Sequence, residues 1–391
     1  MAKKSNKFSR RRIILLFGFL LALADAITGY IQSSYLKSYV GESSVGLIIA
    51  TAAFLTIVAS FFYPRLIKSL GNFRSALLIN FLILASSAAL LLGANSWIII
   101  PAFIIRYAAL ILMLINFDIY LEQSSSNKEA GAVHTSYLTF YNLAWLMSPI
   151  LASWLVGQDN YVNTFRFSFW IILLLGLCLL WLGRRLPQGH HPILNEVKLS
   201  ATLQKIRHSH DLRKIIGSTV CLYIFYAIAV LYVPLRLHDE LGFSWQQLGI
   251  IFTIMLLPFV LIQYPAGLIA DKRWGEKEML ITGNIILALS CLAFWFINSH
   301  SLILWAAILF ISRLGAAITE AMQETYFFKK VKAEEYGLIT MFRQTRTTGW
   351  LLGSGLAFAL LLFWPLKSLF LGVAIIILLN TLSLITLRDT N

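Results

Sequence analysis

Four ionisable residues sit inside apolar runs where a charge is costly: Asp25 in "IILLFGFLLALADAITGY", Arg106 in "PAFIIRYAALILMLINF", and Arg313 with Glu320 in "ISRLGAAITEAMQETYFFKK". An ionised side chain at a bilayer centre costs about 2.5–3.5 kcal/mol on insertion scales, so such residues face a polar interior and mark a solute or ion path. A carboxylate holds its proton more tightly when desolvated and less tightly beside a cation, so one acid can load and release a proton as its surroundings change. Asp25 pairing with Arg106, and letting go on protonation, is the expected chemistry. The plainer alternative is that Asp25 anchors one helix to another through hydrogen bonds.

Spacing groups further residues with these four. Asp25, Thr28, Gly29 and Gln32 recur at i, i+3, i+4 and i+7, a single polar stripe on a helix. Glu320 follows Arg313 by seven residues on the same face, about 10 Å along the axis, and Glu324 extends that face. Glu320 reads equally as a coupling residue or a gate residue. Glu324, Asp118 and Glu122 fall near a membrane surface with Arg74, Arg343 and Arg346, which suggests salt bridges between the two halves that close one mouth and break in another state. Tyr137, Tyr141 and Trp145 recur at i, i+4 and i+8, with Tyr30, Tyr223 and Tyr226 on other helices. These rings serve either as packing or as a surface for a sugar ring or a lipophilic cation.

The elements that must position these side chains are membrane helices. The chain of 391 residues is 58% hydrophobic and 13% charged, against roughly 45–50% and 25% in soluble domains. A spanning helix needs about 20 apolar residues, far more than a barrel strand. Twelve such runs are predicted: 13–35, 44–67, 74–93, 97–121, 133–157 and 165–186, then 215–238, 245–270, 278–298, 302–327, 337–363 and 366–387. The one long polar connection, about 187–213, divides the chain into an N-terminal bundle over 1–186 and a C-terminal bundle over 214–391.

The net charge of +14 follows this layout. Lysine and arginine crowd the N-terminus, the central connection and alternate loops, so the positive-inside rule places both termini in the cytoplasm and no nucleic-acid partner is needed. Cys178, Cys221 and Cys291 lie in predicted spans without metal-ligand spacing, and read as packing residues. The N-terminal basic stretch, apolar run and Ala22-x-Ala24 resemble a cleavable signal, but the apolar run continues to about Tyr35, too long for one.

The two halves repeat each other in order. Leu36, Gly41, Ser43 and Gly46 answer Leu237, Gly242, Ser244 and Gly249; Tyr63-Pro64, Gly71 and Asn80 answer Tyr264-Pro265, Gly275 and Asn284. Arg106, Asp118, Tyr120, Glu129 and Gly131 answer Arg313, Glu324, Tyr326, Glu335 and Gly337.

With its internal repeat, its central connection and the loop "GLIADKRWGEK" over 267–277, the sequence resembles the major facilitator superfamily. Gly267, Asp271, Lys272 or Arg273, Gly275 and Lys277 stand where that family's loop between helices 8 and 9 carries its motif. The first-half copy, "PRLIKSLGNFR", keeps Gly71 and Arg74 but has no acid. The resemblance implies an all-α fold of twelve helices in two pseudo-symmetric six-helix bundles, a central cavity lined by helices 1, 4, 7 and 10, and Asp271 and Arg273 among the cytoplasmic gate residues. It implies a monomeric transporter in the inner membrane, moving a small organic solute by alternating access, driven by a proton gradient and needing no cofactor or metal. Ser148-Pro149 stands where some drug/proton antiporters carry a glycine-rich signature, and "GWLLGSG" over 349–355 supplies small residues for close helix packing. An arginine pair suits an organic anion and an unpaired Asp25 suits a cation or neutral solute, so the substrate charge stays open. A membrane enzyme is the rival class, yet no GxSG, HExxH or loop DxD occurs, and His190, His191, His208 and His210 all fall in the central connection. A receptor or scaffold, the third class, has no need of buried charges.

Overall fold

The structure, a computed structural model, describes residues 2–93, 95–124, 130–186, 199–262, 265–266, 269–270, 275–331 and 335–388. In chain order the helices are α1 Ala2–Gly29, α2 Gln32–Val40, α3 Glu42–Leu70, α4 Asn72–Leu92, α5 Ser96–Ser124, α6 Ala130–Val156 and α7 Val162–Leu182. They continue as α8 Leu199–His208, α9 His210–Leu235, α10 Trp245–Leu261, α11 Glu276–Phe296, α12 Leu302–Lys330, α13 Tyr336–Leu361 and α14 Ser368–Leu384. Each of the twelve predicted spans falls on a helix. Among the described residues, nine helices are long and apolar enough to cross a membrane, and α10 and α14 are shorter apolar ones. Helix α13 matches them in length but carries the polar stretch "RQTRTTG" over 343–349.

Proline lies inside α3, α5, α6, α9 and α10. Membrane helices tolerate it because neighbouring helices and local adjustments take up the freed backbone groups. Two expectations change. The first span is not continuous: Tyr30 and Ile31 form a turn, with Ile31 N–H bonding to Thr28 O at 3.0 Å, so Gln32 begins a separate helix. The central connection is also not plain loop. Residues 187–198 lie outside the described set, but α8 forms just after them, and Ser209 caps α9 by accepting from Leu212 N–H.

The chain divides into two compact units, residues 1–40 with 51–195, and residues 41–50 with 196–391. In the first, α1 packs on α6, α7 and α5, and α4 packs on α5 and α7. In the second, α9 packs on α13, α14 and α12, and α11 packs on α12 and α14. The pairs α1–α6, α1–α5, α4–α5 and α4–α7 are thus repeated as α9–α13, α9–α12, α11–α12 and α11–α14. The sequence repeat is a packing repeat. Its glycines carry the same backbone: Gly71 before α4 and Gly275 before α11 both have φ 81° and ψ 159°, and Gly41 and Gly242 have φ 80° and 70°. Residues with a Cβ rarely adopt that region, so these turns need glycine.

Two close helix contacts in the second unit rest on small residues. A Cβ on Gly315 of α12 would lie 2.7 Å from Gly283 O of α11, and a Cβ on Gly283 would lie 2.9 Å from Gly315 O. A Cβ on Gly349 of α13 would lie 2.3 Å from Tyr223 Cβ of α9, and one on Gly353 would lie 2.9 Å from Ala227 Cβ. These are the close approaches that "GWLLGSG" predicts.

Candidate functional site

Each unit holds a polar cluster around a buried arginine midway along a helix. In the first unit Arg106 of α5 is 3% exposed. Its Nη2 donates to Ser168 Oγ on α7 at 2.8 Å, to Ala24 O on α1 at 3.2 Å and to Thr28 Oγ1 at 3.3 Å. Ser168 Oγ also donates to Ala24 O at 2.6 Å, and Thr28 Oγ1 to Asp25 O at 3.0 Å. The guanidinium carbon lies 5.5 Å from the Phe165 ring centre. Arg106 therefore ties α1, α5 and α7 together.

Asp25 is half-buried one residue beyond Ala24, within electrostatic reach of Arg106 and of Tyr107. The expected direct pairing is not formed: among the described residues no hydrogen bond or ion pair within 4.0 Å reaches the Asp25 carboxylate. The reason is geometric. The guanidinium turns Nη2 to the α1 backbone and two hydroxyls instead of to the carboxylate, while its Nε is buried without an acceptor among the described residues.

The aromatic stripe of α6 docks onto the glycines of α1. A Cβ on Gly18 would lie 2.2 Å from the Tyr137 ring, and one on Gly29 would lie 3.2 Å from Trp145. Trp145 meets Tyr30 edge to face with ring centres 6.2 Å apart. Trp145 is therefore one helical turn from Asp25. Tyr137 lies two turns from it, within reach of Asp118, and Tyr141 stands beside Tyr137 at 6.4 Å. Gln32 is buried at the start of α2, across the helix break.

In the second unit Arg313 of α12 is 2% exposed. Its guanidinium carbon lies 5.0 Å from the Phe225 ring centre and 5.5 Å from that of Tyr226, both on α9. Two helical turns on, Glu320 accepts from Tyr223 Oη at 2.9 Å and from Tyr226 Oη at 3.3 Å. Tyr223 and Tyr226 meet edge to face at 5.3 Å. Tyr226 thus turns its face to Arg313 and its hydroxyl to Glu320. Tyr223 is seated where α13 lies against α9 at Gly349, so the small-residue contact fixes one of the two donors to Glu320.

Arg346 of α13 lies 5.6 Å over the Tyr223 ring and pairs with Glu324 at 2.6 Å, within electrostatic reach of Glu320. This ion pair joins α12 to α13 inside one unit. Arg74 and Arg343 are exposed, and Asp118 is half-buried on α5. The side chain of Glu122, and both Asp271 and Arg273, lie outside the described residues. Sequence reasoning missed Ser168, Phe165, Tyr107 and Phe225. Ser168, in "NTFRFSFWIILLL", is a lone hydroxyl in an apolar run and has no periodic signature.

The family model described as Major Facilitator Superfamily matches residues 14–244 and 215–391. The proline/betaine transporter of Salmonella typhimurium is 26% identical over 229 residues, 53% of this chain and 45% of that protein. The proline/betaine transporter of Escherichia coli K12 is 24% identical over the same length. The chain thus spans about half the length of the curated relatives it matches. Among solved structures, a D-xylose-proton symporter superposes with TM-score 0.74 at 15% identity, covering 98% of each chain. A POT family transporter in complex with 5-aminolevulinic acid superposes with TM-score 0.75 at 13% identity, covering 95% of this chain and 94% of the other. At that identity the likeness is one of fold.

Proposed function

Because the chain belongs to the major facilitator superfamily, a family of membrane transporters and not of enzymes, we propose that it is a proton-coupled secondary transporter of a small organic solute working by alternating access. The observation that carries this reading is a pair of carboxylates inside membrane helices, Asp25 in the last turns of α1 and Glu320 in the second half of α12. Among the described residues Asp25 has no hydrogen-bond or ion-pair partner for its carboxylate, and a buried arginine is within electrostatic reach. Among the described residues Glu320 is held by two tyrosine hydroxyls, with Arg346 in electrostatic reach. Acids in such settings can take up and give back a proton as nearby charges shift. The relatives named for proline, betaine and xylose transport support small solutes as the class. Both termini are assigned to the cytoplasm of a bacterial inner membrane, on the positive charge of the N-terminus and central connection.

The test is uptake into proteoliposomes from a panel of radiolabelled sugars, amino acids, betaines and organic acids. Under an inward proton gradient at least one solute accumulates, and a protonophore abolishes the accumulation. Accumulation that ignores the protonophore overturns the coupling, and no movement of any solute counts against transport itself.

A further inference from the structure

The repeat puts Arg106 and Arg313 at equivalent positions, yet the two guanidiniums have different surroundings. Arg106 donates to three acceptors supplied by α1 and α7. Arg313 has none: no hydrogen bond or ion pair joins it to another described residue, and its Nη1 is buried without an acceptor. Among the described residues the faces of Phe225 and Tyr226 lie against it, and Cys291 of α11 is within electrostatic reach. At 2% exposure the side chain as a whole has little access to solvent. A buried cation without a counter-charge is strongly disfavoured unless an anion completes its shell. Glu320 does not complete it, because that carboxylate accepts from the two tyrosines instead.

From this asymmetry we infer that Arg313 is the anchor for a carboxylate on the transported solute, while Arg106 is a structural tie. A guanidinium presents a planar fork that matches a carboxylate with two parallel hydrogen bonds. One cation balances one carboxylate, whereas a doubly charged phosphate would bring uncompensated charge toward Glu320. The rings 5.0 and 5.5 Å from the guanidinium offer an apolar wall to the rest of a small ligand. The ligand class is a small organic monocarboxylate, either a simple acid or a zwitterion.

This inference rests on the transport reading but is tested without a gradient. Purified protein in detergent is heated with formate, acetate, benzoate and proline, and in parallel with formamide, acetamide, benzamide and prolinamide. At least one carboxylate raises the Tm and its amide does not. The shift disappears in R313Q, and in R313K it needs at least about tenfold more ligand, because an ammonium cannot pair with both oxygens in one plane. R106K lowers the ligand-free Tm but keeps the shift. If R313Q does not fold, R313K carries the test. Absence of any shift in the wild type, equal shifts from acid and amide, or a full shift in R313K overturns the inference. Solute uptake without carboxylate binding overturns it alone, while binding without uptake of any solute overturns the transport reading.

Discussion

Replacing Gly349 with alanine tests how the helix contact supports the Glu320 cluster. The added Cβ would sit 2.3 Å from Tyr223 Cβ, 2.9 Å from Val220 O and 3.0 Å from the Tyr223 carbonyl carbon. Ordinary carbon contacts lie near 3.7 Å, so α13 and α9 must separate by about 1.4 Å at this point. Two of the three atoms met are backbone, so no rotamer change relieves the overlap. Overpacking of this kind costs about 1–3 kcal/mol, and the better helix propensity of alanine returns about 1 kcal/mol, leaving up to about 2 kcal/mol of destabilisation. Any part of that shift taken up by α9 lengthens the 2.9 Å bond from Tyr223 to Glu320 on α12. Gly355 on the same helix is the control, since its Cβ would meet nothing within 4 Å. G355A should be neutral or stabilise by up to about 1 kcal/mol. Thermal melts in detergent, followed by size-exclusion chromatography, read both variants. A lower Tm for G349A and an unchanged or higher Tm for G355A is expected. Equal melts would refute the close α9–α13 contact as the determinant.

Further expectations follow from individual contacts. Ser168→Ala removes the 2.8 Å acceptor of Arg106 and a 2.6 Å bond to Ala24. At about 0.6–2 kcal/mol for each interhelical bond, its melt should fall measurably below that of the wild type. Lys329→Met removes one charge partner of Glu276, which is 2% exposed and paired to that lysine. It should destabilise by up to about 3–5 kcal/mol, whereas Glu324→Gln breaks a pair that is 41–50% exposed and should cost no more than about 1 kcal/mol, a contrast that the same melts resolve. A cysteine placed at Ser5, in a background without Cys178, Cys221 and Cys291, should resist an impermeant maleimide in intact cells and react in inverted vesicles. Labelling in intact cells would reverse the assigned topology.

How far the sequence carried depended on what each contact leaves in the chain. Spanning helices announce themselves through long apolar runs, and the repeat is visible because both copies need a glycine at the same positive-φ turns, Gly71 and Gly275. The close α9–α13 contact was legible for the same reason, since only small residues allow it. The break at Tyr30–Ile31 was not, because Gly29 there is spaced like any member of the polar stripe and proline is absent. The partners of Arg106 were hidden for a different reason. Backbone oxygens such as Ala24 O have no residue signature, and one serine among aromatic and aliphatic neighbours has no period. The pairing of Glu324 with Arg346 inside one unit depends on which faces of α12 and α13 meet, a property of packing and not of either helix alone. The symmetric arginines were visible, but their unequal surroundings appear only once the neighbouring helices are in place.

Proton coupling through membrane-embedded carboxylates is tested most directly by measuring two modes of transport in D25N and E320Q proteoliposomes. One is gradient-driven accumulation of a transported solute; the other is exchange of that solute with no gradient. Loss of driven accumulation with exchange retained in at least one variant is the predicted result. Accumulation at the wild-type level in both variants contradicts it.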